Sequence, residues 1–246
     1  MDKLELPIDN SAAPKNLQSF KGVNQFLAIR TDANDNTYVG FIHKDKNSKD
    51  NFIINLPIMP MVFYDSAYTS NLNLKQVRQL LLETLTKENE EGTYHPESEH
   101  KVYRFIGYST TVVIQLVNSL ECFANEMIAT KKYIYKNELT NKTETFDHYQ
   151  TQNYVNLKTK LFKILPEVFS KNVNDNSLFL QPIHKLIEFR NDLTHLKLKD
   201  QLIIERSETV RRLLNFNYDK ALVDVRKYIN YYIPDYMKDC DCEKDF

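Results

Sequence analysis

The strongest constraint on the fold lies between residues 98 and 133. Phe105, Val112, Leu116, Leu120, Phe123 and Met127 recur there at three-, four- and seven-residue steps. That period places them on one face of an α-helix. Ser98 reads as its N-cap. A run to Tyr133 would make about nine turns at roughly 3.6 residues each. Such length without a supercoil repeat suits the central helix of a bundle. Gln115, Asn118 and Glu121 interrupt the apolar run, so it is no membrane span. The first twenty residues lack a signal peptide's apolar core, which points to a cytoplasmic protein with no membrane partner.

The remaining segments extend this helical pattern. Asn73 is a plausible N-cap with Gln76 three residues on, and Leu74, Val77, Leu81 and Leu85 follow as an apolar stripe towards Gly92. Leu157, Leu161, Ile164 and Leu165 predict a shorter helix, broken by Pro166. Leu222, Val225, Ile229 and Ile233 predict a last one, stopped at Pro234. Before residue 71 the period changes. Phe26–Ile29, Tyr38–Ile42 and Phe52–Ile54 are short β-branched or aromatic runs between turn-rich clusters, with Met61–Tyr64 as a fourth candidate strand. The expected fold is therefore mainly α, a helical bundle over residues 71–246, with an N-terminal antiparallel β-meander over residues 1–70. With only 4 Gly and 8 Pro, the chain is no loop-rich or disordered one.

Chemistry concentrates at Phe189-Arg190-Asn191-Asp192-Leu193-Thr194-His195. Pro182 precedes Ile183, Leu186, Ile187 and Arg190 at helical spacing. Asn191 and His195, four apart, would share one helix face within about 40°. Arginine binds phosphate oxygens bidentately, and histidine exchanges protons near neutral pH. Together they suit chemistry on a phosphodiester. The plainer alternative is that Arg190 and His195 pack or cap a helix end while Asp192 pairs with a nearby cation.

Arg190-Asn191, three further residues and His195 resemble the Arg-x4–6-His motif of the HEPN superfamily, in which a polar residue, often Asn, follows the Arg. The resemblance spans roughly residues 98–233 and implies a HEPN-like helical bundle. It also implies a metal-independent endoribonuclease, a toxin or anti-phage defence effector, without a cofactor. Its catalytic residues would be Arg190, Asn191 and His195, in a composite site at a homodimer interface. An antitoxin or other defence-system protein would be its partner. Other members of the family are non-catalytic scaffolds, and a nucleotide- or ligand-binding sensor could use the same Arg and His. One branch carries a tyrosine two residues after the His; Lys197 stands there, so regulation through that tyrosine is not implied.

With a net charge of −1, no global basic field attracts RNA, so binding must come from local clusters. Lys197 and Lys199 are the expected substrate contacts beside His195, with Arg206, Arg211 and Arg212 beyond. Lys and Tyr residues interleave between positions 132 and 155, as a single-strand clamp or as a long polar loop. Glu121 and Asn125 share a helix face and would either orient the catalytic Arg or His or line a solvated edge. Neither a Gly-rich phosphate loop nor a paired metal-ligand motif appears. The tail pair Cys240 and Cys242 could hold a metal only with ligands from elsewhere, and the three cysteines form no disulfide framework.

Overall fold

A computed structural model describes residues 27–31, 37–44, 46–47, 51–129, 132–136, 143–171, 179–194 and 202–238. The chain divides into two units, Met1–Ile58 and Met59–Phe246. The division falls ahead of the expected boundary at residue 71, because a helix already runs through that point.

In the first unit, β1 (Leu27–Thr31), β2 (Thr37–Lys44) and β3 (Asn51–Asn55) pair antiparallel in chain order. Phe41 is opposite Leu27 on one side and Ile54 on the other.

The second unit is mainly helical and is built on a pair of 33-residue helices, α1 (Met59–Glu91) and α2 (Pro96–Ile128). Each is about 50 Å long at roughly 1.5 Å per residue. They run antiparallel: Ser119 Oγ donates to the Pro60 carbonyl at 2.8 Å, and Lys101 Nζ donates to Thr84 Oγ1 near the other end. The connection is short because Gly92 takes φ +66°, a left-handed conformation that costs glycine little and ends α1.

Four expectations change here. Met61–Tyr64 is no strand, and Asn73 caps nothing; both lie inside α1. Tyr64, Ala67, Asn71, Leu74, Val77, Leu81 and Thr84 are buried at three- and four-residue steps, so the helical period extends well upstream of Asn73. Ser98 is the third residue of α2 rather than its cap. His95 is the cap residue, Pro96 opens the helix with its missing N–H, and Glu97 and Glu99 complement the positive N-terminus. Finally, α2 stops at Ile128, short of Tyr133.

The segment from 132 to 155 carries regular structure rather than one long loop. β4 (Tyr133–Lys136) pairs antiparallel with β5 (Thr143–Phe146). α3 (His148–Tyr154) follows behind a reciprocal capping box, in which Gln150 N donates to Asp147 Oδ1 at 2.8 Å and Asp147 N to Gln150 Oε1 at 3.0 Å. Then come α4 (Leu157–Thr159), a π-helical turn (Lys160–Ile164) and α5 (Leu165–Val168). Pro166 does not break this helix. It cannot donate to a residue four back, and the widened turn just before it absorbs the mismatch. α6 (Gln181–Thr194), α7 (Leu202–Asn215) and α8 (Tyr218–Tyr232) complete the unit, with Pro234 just past the end of α8.

The core centres on α2, where Val112, Val113, Leu116, Val117, Leu120, Phe123 and Ala124 are fully buried. α6 and α8 pack against it. Specific bonds set the position of α8: Tyr64 Oη donates to the Leu222 carbonyl at 3.1 Å, Asn71 Nδ2 to Asp219 Oδ1 at 2.7 Å, and Tyr228 Oη to the Leu161 carbonyl at 2.6 Å. Among the described residues, no helix is long and apolar enough to cross a membrane.

Candidate functional site

α6 forms because Ile183, Leu186, Ile187 and Phe189 supply an apolar face that the bundle buries. Arg190 follows Ile183 by seven residues, so it points within about 20° of the same direction. The arginine therefore stands on the packed side of its helix and is half-buried. Its Nε is closed off from solvent and has no hydrogen-bond partner among the described residues. Asn191, turned by about 100°, is exposed.

The last turn of α6 is tied down from two sides. Thr194 Oγ1 donates back to the carbonyls of Arg190 at 3.0 Å and Asn191 at 3.3 Å. Asp192 accepts from Arg212 of α7 at 2.8 Å, and the Arg212 guanidinium lies 4.7 Å from the centre of the Phe189 ring. Arg212 is thus engaged, whereas Arg206 and Arg211 are exposed on α7. The described part of α6 ends at Thr194. His195, Lys197 and Lys199 lie outside the described residues, as do Cys240 and Cys242.

The structure brings Glu121 and Asn125 together around a residue absent from the sequence expectations. Lys160, only 1% exposed, donates from Nζ to Asn125 Oδ1 at 3.0 Å and to the Gln152 carbonyl at 2.6 Å, with Glu121 Oε1 at 4.0 Å. Burial pushes its amine below the usual lysine range, and the Glu121 carboxylate opposes that shift. Gln152 Nε2 returns a bond to the Asn125 carbonyl at 3.0 Å, closing a joint between α2, α3 and the π turn. A signal is present in the sequence: Lys160 occupies an apolar-stripe position, three after Leu157 and four before Ile164.

A second feature has no counterpart among the sequence expectations. Between α4, the π turn and the first half of α6 lies a hollow of about 460 Å³, bordered by Lys158, Phe162, Lys163, His184, Lys185 and Glu188 among others. The His184 ring stacks on Phe162 with centroids 3.8 Å apart and planes 22° apart. A larger hollow of about 670 Å³ draws all its lining from α1, so no second element closes it. No group of three His, Cys, Asp or Glu able to hold a metal ion occurs among the described residues. Cys122 is partly buried, and burial raises its thiol pKa, as expected of an unreactive cysteine.

Comparison with protein-family models, with curated proteins and with solved structures finds no match for this chain.

Proposed function

We propose that this protein is a metal-independent endoribonuclease whose helical unit is a HEPN-like bundle behind a β-meander, acting in the cytoplasm as a toxin or anti-phage effector. One observation carries the reading. Arg190 is drawn into the packed side of α6 with its Nε unpartnered among the described residues, one turn before Thr194, where the described part of the helix ends, and five residues before His195. A buried guanidinium N–H without a partner costs free energy, of order 1–3 kcal/mol. A phosphate that gained access to this N–H would offset that cost, because charge-assisted bonds to phosphate are among the strongest available to arginine.

In the proposed reaction His195 removes the proton from a ribose 2′-hydroxyl, and the 2′-oxygen attacks the adjacent phosphorus. The 5′-oxygen leaves with a proton from a second histidine, giving a 2′,3′-cyclic phosphate and a free 5′-hydroxyl. Arg190 stabilises the added negative charge of the transition state, and Asn191 holds the imidazole or a phosphate oxygen. One Arg–His pair supplies one proton-transfer group, whereas the reaction uses a base and an acid. Two copies of the chain facing each other across a two-fold axis would supply both. The nucleophile comes from the substrate itself, so no metal-bound water is required.

The test is incubation of the full chain with single-stranded RNA in EDTA, beside an otherwise identical substrate carrying a 2′-deoxyribose at the cleaved position. Cleavage that leaves a cyclic phosphate and spares the deoxy substrate supports the reading. Equal cleavage of both substrates, or binding without cleavage, overturns it; the latter favours a nucleotide-binding sensor.

A further inference from the structure

The hollow beside the first half of α6 has the composition of an anion site with a flat wall. Four of its side chains are charged at neutral pH, in a chain whose net charge is −1. Glu188 is matched by Lys158 at 2.9 Å. Lys163 and Lys185 have no ion-pair partner among the described residues, so two positive charges face the hollow uncompensated. Like charges gathered at one concave surface repel each other and raise the local concentration of anions.

The rings add a second, independent feature. Phe162 is 6% exposed and backs the half-buried His184, so the imidazole plane is fixed rather than free to rotate. Phe162 and Lys163 both come from the π-helical turn, a widening that recurs at functional sites. A volume of about 460 Å³ falls in the range of small-ligand sites. A fixed ring wall with adjacent cations matches how proteins stack a base and hold its phosphate.

We propose that this cavity binds a nucleotide phosphate between Lys163 and Lys185, with the base laid against the His184–Phe162 ring pair. The nucleotide is either free or one unit of a single-stranded RNA. His184 and Asn191 are seven residues apart, so they lie within about 20° on one face of α6, separated by about 10 Å along its axis. A strand seated in the cavity can therefore follow that face of α6 to Asn191, the chain neighbour of Arg190. That RNA alternative rests on the catalytic reading above; the free-nucleotide alternative does not.

The experiment uses the full chain carrying His195→Ala, so that RNA stays intact, with and without Lys163→Gln plus Lys185→Gln. Both lysines are exposed, and a melting curve checks that the fold is kept. The probes are a short fluorescent single-stranded RNA followed by polarisation, and the four nucleoside monophosphates followed by calorimetry. If the strand is the ligand, the double variant binds RNA about tenfold more weakly, and its log–log salt slope falls by roughly 0.7 for each phosphate no longer neutralised. His184→Ala, which removes the stacking surface, weakens RNA in the same direction. If the free nucleotide is the ligand, one monophosphate binds the parent protein and the double variant fails to bind it. RNA affinity unchanged in the double variant, together with no lysine-dependent monophosphate binding, overturns the proposal. Cleavage in EDTA by the chain with His195 intact reports separately on catalysis. Cleavage with an unaltered KM in Lys163→Gln plus Lys185→Gln removes the cavity and leaves the nuclease. Lysine-dependent nucleotide binding without any cleavage removes the nuclease and leaves the cavity.

Discussion

Lys160 and Arg190 are both cations drawn into the helical unit, and their surroundings are opposite. The Lys160 amine has Asn125 Oδ1 at 3.0 Å, the Gln152 carbonyl at 2.6 Å and the Glu121 carboxylate at 4.0 Å. The Arg190 Nε, equally closed off from solvent, has no hydrogen-bond partner among the described residues. A cation whose donors are already used stabilises a joint and has little left for a substrate. One with unused donors is costly to keep until something anionic arrives. The difference teaches that burial of a charge is not by itself a sign of function. What matters is whether its hydrogen-bonding capacity has been used by the fold.

The largest effect should separate the two cations directly. Arg190→Ala and His195→Ala are each expected to lower RNA cleavage by at least about a hundredfold with the far-ultraviolet circular dichroism unchanged. Lys160→Met should leave cleavage per folded molecule within a few-fold of the parent. Equal losses from Lys160→Met and Arg190→Ala would erase the distinction between a structural and a catalytic cation.

Next comes the joint itself. Asn125→Ala removes the side-chain acceptor of a buried ammonium, and about 2 kcal/mol of unfolding free energy should go with it in urea titration. If Asn125 instead served the motif, cleavage would fall and stability would hold.

A smaller effect is the pH dependence that Lys160 creates. Its folded-state pKa is depressed below the ordinary value of 10.5. The unfolded chain therefore binds more protons between the two values, and stability rises with pH across that window. It is lost again as pH falls through the folded value. Melting temperatures of the parent, compared with Lys160→Met, should rise from neutral towards pH 10. A flat difference would mean that the amine is not desolvated. The comparison belongs below that point, because burial holds Tyr218 and Tyr232 up to about 12 from an ordinary 10.0. Those hydroxyls lose stability as pH rises past 10, the opposite sign.

The smallest effect concerns the tie between α6 and α7. Asp192 and Arg212 are both exposed, so Asp192→Ala or Arg212→Ala should cost less than about 1 kcal/mol, and the cost should shrink in high salt. A larger, salt-insensitive loss would mean that this pair holds the end of α6 in place for Arg190.

Much of the helical unit was legible residue by residue. The stripes of α2, α6 and α8, the stop at Gly92 and the end before Pro234 all follow from local period and local backbone preference. The start of α1 was not legible. Met61–Tyr64 is too short to distinguish a two-residue from a 3.6-residue period, and its helical state is secured by Tyr64 reaching the Leu222 carbonyl, 158 residues away. The candidate site was legible as a motif, and Arg190 stands one turn before Thr194, where the described part of α6 ends. Glu121 and Asn125 share one face as their spacing requires, but nothing in that spacing points to their common partner Lys160.

By itself, then, the sequence determined that α2, α6 and α8 are helical and which face of each is apolar. Both follow from the chain's own repeat, because a helix turns by about 100° per residue wherever it lies. Only the tertiary structure decided which polar groups meet. Asn125 reaches Lys160 across 35 residues, Asn71 reaches Asp219 across 148, and His184 stacks on Phe162 from a different helix. Those meetings depend on how helices cross and how far each slides along its neighbour, and packing of whole apolar faces sets both. The same packing used the donors of Lys160 and left the Nε of Arg190 without a partner among the described residues.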